Sequence, residues 1–207
     1  MDIASYPKIT AIMRGYTYEK AMLAISVLAD FDHQIGIEVT TNNPDYLKII
    51  HDGNKKYGDK ISIGVGTVLN VGQAEDAINA GAKFMLGPQQ FTDDIFYLAK
   101  AKNVVTVPAA ATTSEIYSMI QKGADIVKIF PAVTLGPSMF KQIQGPLGKL
   151  PLMAVGGVNL DNGSEFIRNG ASYLGIGSNF FDQKALANSD VKKMAESAKA
   201  YLSLFEK

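Results

Sequence analysis

The stretch Ser114-Glu115-Ile116-Tyr117-Ser118-Met119-Ile120-Gln121-Lys122-Gly123-Ala124-Asp125-Ile126-Val127-Lys128-Ile129-Phe130 reads as a helix, a stop and a strand in succession. Ile116, Met119 and Ile120 recur at helical spacing, whereas Ile126–Phe130 is a short apolar, β-branched run. Gly123 lies between them, where a glycine takes the left-handed conformation that ends a helix cheaply. The same join occurs at Asn79-Ala80-Gly81-Ala82 and at Arg168-Asn169-Gly170-Ala171. Each is the helix-to-strand half of a βαβ unit.

Working outward, strand-like runs fall at Ile9–Met13, Ile35–Val39, Ile61–Val65, Phe84–Leu86, Val104–Val107, Ile126–Phe130, Leu152–Val155 and Tyr173–Ile176. Helical spacing follows them at Tyr18–Leu28, Asp45–Lys55, Gln73–Ala80, Thr92–Lys100, Ser114–Gln121, Ser138–Ile143, Asn162–Arg168 and Val191–Phe205. Continuous apolar strands alternating with helices imply a parallel sheet covered by helices. Eight such units in 207 residues leave about 26 each, which predicts an α/β fold of the compact (β/α)8 TIM-barrel kind. A doubly wound open sheet is the alternative, but no G-x-G-x-x-G follows the first strand.

The chain is 47% hydrophobic and 19% charged, which excludes a disordered chain and a coiled coil. No linker or low-complexity segment interrupts it, so residues 1–207 are expected to form a single domain. Twenty basic residues balance twenty acidic ones, and neither a nucleic-acid nor a membrane partner is expected. Met1-Asp2-Ile3-Ala4-Ser5 lacks the basic start of a signal peptide, and no run has the roughly 18 apolar residues of a membrane span. A cytoplasmic protein is therefore expected. Without cysteine there is no disulfide, thiolate nucleophile or thiolate metal site, and His33 and His51 do not stand at a metal-ligand spacing.

In a TIM barrel the chemistry belongs at the C-terminal ends of the strands. Lys128 is a lone cation in an apolar run, and Glu38 is its acidic counterpart in Ile35-Gly36-Ile37-Glu38-Val39-Thr40. Burial lowers an amine's pKa, as a Schiff-base nucleophile requires, and raises a carboxyl's, as a proton carrier requires. The plainer reading of both is a structural ion pair. Arg14, one of two arginines, ends the first strand, where an anionic substrate would sit; Arg168 closes a helix and is assigned to structure. Gly64-Val65-Gly66-Thr67 offers close backbone approach and a hydroxyl, or else a glycine turn with Thr67 as a helix cap. Val155-Gly156-Gly157-Val158 and Gly175-Ile176-Gly177-Ser178 end the last two strands, a frequent phosphate site in barrels. The prolines in Gly87-Pro88 and Val107-Pro108-Ala109 are assigned to shape.

Glu-Val-Thr at 38–40, Gly-x-Gly-Thr-Val at 64–68, Val-Lys-Ile-Phe-Pro-Ala at 127–132, Gly-Gly-Val at 156–158 and Gly-x-Gly-Ser at 175–178 together resemble the class I 2-keto-3-deoxy-6-phosphogluconate/4-hydroxy-2-oxoglutarate aldolase family. The resemblance spans Ile9 to Ser178. It implies that Lys128 forms an imine with the substrate ketone and that Glu38 moves protons. It implies that Gly66, Thr67 and the segment near Pro88 hold the pyruvoyl end, and that Arg14, Gly156, Gly157, Val158 and Ser178 hold the distal hydroxyls and phosphate. No metal or cofactor is implied, because the imine is the electron sink, and a homotrimer is. Asn42 stands after Glu38-Val39-Thr40 where the phosphogluconate pattern has arginine, and Ala154-Val155 replace Pro-Thr. Both resemble the 2-keto-3-deoxy-6-phosphogalactonate branch, and Val155 cannot bond a substrate hydroxyl as threonine does. Gly87 and Ala109 depart from the hydroxyl residue and the glycine common in the family at those places. The expected reaction is cleavage of a 2-keto-3-deoxy-6-phospho sugar acid to pyruvate and glyceraldehyde 3-phosphate. The alternatives are 4-hydroxy-2-oxoglutarate cleavage, an isomerase or synthase on a phosphate-binding barrel, and a sugar-phosphate-binding protein without catalysis.

Overall fold

The computed structural model describes residues 2–206. Strand β1 (Ile9–Met13) leads into α1 (Tyr18–Ala29), β2 (Ile35–Thr40) into α2 (Tyr46–Tyr57), β3 (Ser62–Gly66) into α3 (Val71–Asn79) and β4 (Phe84–Leu86) into α4 (Asp93–Ala101). The short strands β5 (Val105–Val107) and β6 (Ala109–Ala110) precede α5 (Thr113–Gln121), and β7 (Val127–Ile129) precedes α6 (Ala132–Leu135) and α7 (Ser138–Leu147). Then come β8 (Leu152–Val155), α8 (Gly163–Arg168), β9 (Tyr173–Ile176), α9 (Gln183–Ala187) and α10 (Val191–Leu202).

Every strand pairing is parallel, in the order β5-β4-β3-β2-β1-β9-β8-β7-β6. The two ends of that order, β5 and β6, are separated in the chain by Pro108 alone. Proline has no N–H to give to a ladder, so the fifth barrel strand is broken there. Its first half bonds to β4 and its second half to β7, while the Pro108 carbonyl accepts the Lys128 N–H at 2.9 Å. The ring is thus closed, and the fold is the expected eight-unit TIM barrel.

The three glycine stops behave alike. Gly81, Gly123 and Gly170 have φ of 104°, 91° and 103°, and the next N–H in each case reaches back to the last helical turn, from Ala82 to Ala77, Ala124 to Met119 and Ala171 to Phe166. Two further helices stop the same way without glycine. Asn103 (φ 53°) ends α4 and Ser189 (φ 55°) ends α9. Side chains cap α1, α3, α5, α9 and α10, most completely at Thr112, whose hydroxyl caps α5 while Glu115 bonds back to the Thr112 N–H at 2.9 Å.

The core has two layers. Tyr6, Ile12, Phe84, Leu86, Val107 and Met153 belong to the cluster inside the barrel. A larger cluster, including Ile37, Val39, Ile63 and Val127, lies between the sheet and the helices. Tyr6 plugs the barrel floor, its ring edge-on to Phe84 and Tyr173 and its hydroxyl 3.0 Å from Thr10 Oγ1. The sequence reading differs at α6 and α9, which are too short to show a period, and at Val191–Phe205, where α10 stops at Leu202 and a 3-10 turn follows.

Candidate active site

Strand alternation decides which side chains enter the barrel. Along β2, Ile37 and Val39 face the helices, so Glu38 faces inward, opposite Ile12 of β1 and Gly64 of β3. Along β7, Val127 and Ile129 face the helices and Lys128 faces inward. Glu38 is 1% exposed and Lys128 is 4% exposed.

No ion pair at 4.0 Å or closer joins these two groups among the described residues, so the plainer reading of them as a structural ion pair does not hold. Glu38 Oε2 is buried with no hydrogen-bond partner. Burial pushes the Glu38 carboxyl above its ordinary range, against the opposing pull of Lys128 and then Arg14. Burial likewise pushes the Lys128 ammonium down, with Glu38 opposing and Arg14 assisting. Both groups are moved towards their neutral forms. An unprotonated amine near a protonated carboxyl is the starting point for adding nitrogen to a carbonyl and protonating its oxygen.

The remaining expected residues lie at or just past the C-terminal ends of the strands. Gly66 lies flush against the Glu38 carboxyl, where a side chain at 66 would overlap it. Thr40, fully buried and opposite Gly66, donates its hydroxyl to Asn42 Oδ1 at 2.6 Å, and Asn42 is exposed. Thr67 is half-buried at φ 61°; it does not cap α3, whose cap is Asn70. Pro88 lines a cavity of about 250 Å³ with Ala110, Ala111, Glu115 and Phe130. Arg14 is exposed at the end of β1. Gly156 and Gly157 have φ of 98° and 79°; a side chain at Gly156 would stand 3.2 Å from the Phe130 ring, and the Gly156 carbonyl accepts the Val133 N–H at 3.1 Å. Val155 is buried beside Gly175, and Ser178 is exposed beyond β9. Val158 differs in kind: its side chain packs in the layer under the helices, so only its backbone is left to face a ligand. Arg168 closes α8, away from this end of the barrel.

Two residues join the site that the sequence reading passed over. The Phe130 ring lies 4.9 Å from Lys128 Nζ, within cation–π range. Its position two residues after Lys128, at the end of the same apolar run, was the available signal. Thr41 bonds to the Gly66-Thr67 turn through both its N–H and its hydroxyl. It reads as an ordinary loop residue, and nothing in the local sequence marks it.

A family model described as KDPG and KHG aldolase matches residues 3–197. The 2-dehydro-3-deoxy-6-phosphogalactonate aldolase of Escherichia coli (strain K12) is 29% identical over 198 residues, 94% of this chain and 93% of that protein. A probable 2-dehydro-3-deoxy-6-phosphogalactonate aldolase of Rhizobium meliloti (strain 1021) is 32% identical over 186 residues, 89% of this chain and 86% of that one. Among solved structures, the KDPG aldolase of Legionella pneumophila, with pyruvate captured at low pH as a covalent carbinolamine intermediate, matches with a TM-score of 0.82. It is 26% identical, and the match covers 94% of each chain.

Proposed function

This chain belongs to the KDPG and KHG aldolase family, and from that membership we propose that Lys128 is its imine-forming nucleophile and that its substrate is a 2-keto-3-deoxy-6-phospho sugar acid of the galactonate type. The protein is a lyase, a Schiff-base aldolase that releases pyruvate and an aldehyde. The observation that carries the residue assignment is the burial of one amine and one carboxyl inside the same barrel mouth.

The steps follow from the two groups. Lys128 Nζ adds to the C2 ketone, and the oxygen takes a proton from Glu38. Loss of that oxygen as water leaves an iminium. Glu38, now a carboxylate, takes the C4 hydroxyl proton as the C3–C4 bond breaks. The bonding pair moves into the C2–C3 enamine, with the iminium nitrogen as electron sink. The aldehyde, glyceraldehyde 3-phosphate, departs. Glu38 returns its proton to C3, and water hydrolyses the pyruvate imine to free Lys128. Gly66 and Thr67 are assigned to the pyruvoyl carboxylate with Pro88 beside them. Arg14, Gly156, Gly157, the Val158 backbone and Ser178 are assigned to the phosphate and hydroxyls, with Thr40, Asn42 and Val155 shaping the sugar path.

The family resemblance supports a homotrimer. Leu69 and Leu160 in loops, Val71 at the start of α3 and Val133 in α6 are all exposed past the strand ends, and they support a subunit contact there. Among the described residues no helix is long and apolar enough to cross a membrane, and a cytoplasmic setting suits a phosphorylated substrate.

The test is borohydride reduction with pyruvate, read by intact and peptide mass. A stable adduct on Lys128 is expected. An adduct confined to exposed lysines, or none on folded protein, would overturn the assignment and bring the isomerase or binding-protein reading forward.

A further inference from the structure

Thr41 is the first residue past β2 and is half-buried. Its N–H donates to the Gly66 carbonyl at 2.9 Å, and its hydroxyl donates to the Thr67 carbonyl at 2.7 Å. One residue therefore fixes two consecutive carbonyls of the turn that ends β3. That turn is not relaxed. Thr67 has φ 61°, the left-handed region, which a β-branched residue rarely adopts and which persists only where its surroundings impose it. The constraint comes from both sides. Thr41 holds the turn from β2, and the Val68 N–H holds it from β4 by donating to the Leu86 carbonyl at 3.1 Å.

What this turn touches gives the clamp its consequence. Gly66 lies against the Glu38 carboxyl with no room for even one carbon between them. A movement of the Gly66 backbone is therefore a movement of the wall against which the carboxyl rests. On the reading given above, Thr67 also meets the carboxylate of the 2-oxo acid. We propose that Thr41 is a positioning residue for the aldol reaction, holding the strained Gly66-Thr67 turn so that the Glu38 carboxyl and the pyruvoyl site keep their mutual placement. Thr41 itself touches no reacting atom. Without its hydroxyl, the Thr67 carbonyl loses its partner and Thr67 is free to relax towards an extended conformation, which swings its N–H and hydroxyl away from the site.

This inference rests on the aldolase reading, and the experiment separates the two. Wild-type protein is titrated with pyruvate under borohydride, and the half-saturating concentration for Lys128 adduct formation is measured. Absence of the wild-type adduct overturns the reading itself. With the adduct present, Thr41→Val and Thr41→Ala should each raise the half-saturating pyruvate about tenfold, the scale of one hydrogen bond. Thr41→Ser, which keeps the hydroxyl, should stay within about twofold of wild type. In a Thr67→Gly background the left-handed conformation costs nothing, so Thr41→Val should add less than about threefold there. Melting temperatures establish which variants are folded, and either hydroxyl-free variant suffices. Wild-type half-saturation in a folded hydroxyl-free variant, or an equal effect of Thr41→Val in both backgrounds, would overturn the role.

Discussion

The carboxyl of Glu38 occupies the space that a side chain at Gly66 would fill. The two residues lie on neighbouring strands, with Gly66 paired to Thr40, two residues on from Glu38. Glycine at 66 is thus required by its neighbour's carboxyl, since its own strand geometry is one that any residue can adopt. Gly66→Ala must displace either the β3 backbone or the carboxyl. Overpacking of a tight core costs about 1–3 kcal/mol. The expected outcome is a lowered melting temperature and a fall in kcat of roughly 10²-fold or more, the scale of a lost general acid–base. Lys128 should still be trapped by pyruvate and borohydride. A folded Gly66→Ala protein with wild-type kcat would show that the carboxyl position does not matter to turnover.

Glu38→Gln should separate catalysis from stability. Turnover is expected to fall roughly 10²–10⁴-fold. Stability should respond to pH in the opposite sense from an ordinary paired carboxylate. Burial holds the folded-state pKa of Glu38 above its ordinary value of 4.5. Below that value the carboxyl is protonated in both states and its contribution is fully present. As pH rises towards the raised folded value, the unfolded chain releases its proton first, so stability is lost with rising pH. Glutamine has no such proton. The melting temperature of Glu38→Gln minus that of wild type should therefore widen with pH from about 4.5 upward. Lys128 works the other way at the alkaline end, where its lowered value makes stability rise with pH below 10.5. A difference in melting temperature that stays flat across the acid and neutral range would contradict a Glu38 carboxyl raised by burial.

The barrel was legible because its signals are local. A glycine stop such as Gly123 and an apolar run such as Ile126–Phe130 are read without knowing what packs on them. Lys128 and Glu38 stood out for the same reason, as charges where the local pattern has none. What escaped was non-local or brief. The break at Pro108 is a matter of which neighbour each half-strand bonds to, and α6 is one helical turn. Thr41 matters through a hydroxyl reaching Thr67, 26 residues away in the chain, and no property of residues 40–42 shows that. The Thr67 cap reading failed likewise, because α3 starts later, at the Asn70 cap, and the turn at Thr67 is held by bonds to Thr41 and Leu86. Asn103 and Ser189 end helices as glycines do, but their side chains also suit many other positions.

Phe130→Leu tests how the ring beside the Lys128 amine acts on it. A ring face within about 6 Å of an ammonium favours the charged form, and here the separation is 4.9 Å. The ring therefore works against the fall in pKa that burial causes. Replacing it with leucine should lower the Lys128 pKa further. The acid limb of the pH profile for imine formation should move to lower pH, with little change in the plateau. A limb that stays in place would show that the ring packs against the lysine stem without acting on its charge.

Val155 is the position proposed here to choose between substrate epimers, by one atom. It ends β8, is 4% exposed, and has a methyl 2.8 Å from where a Cβ on Gly175 would sit. Threonine matches valine in shape but puts a hydroxyl where a methyl was, and a buried hydroxyl without a partner costs about 1–3 kcal/mol. In the free enzyme Val155→Thr should therefore be slightly destabilised. On the assignment proposed above, the hydroxyl gains a partner in the complex from the C4 hydroxyl of the gluconate epimer and none from that of the galactonate epimer. The ratio of kcat/KM for the gluconate over the galactonate substrate should rise by roughly tenfold. The measurement is a pair of kinetic assays, one per epimer, on wild type and variant. A ratio that does not move would place epimer choice on the other wall of the mouth, where Thr40 fixes the Asn42 amide at 2.6 Å, and Asn42 would become the residue to change.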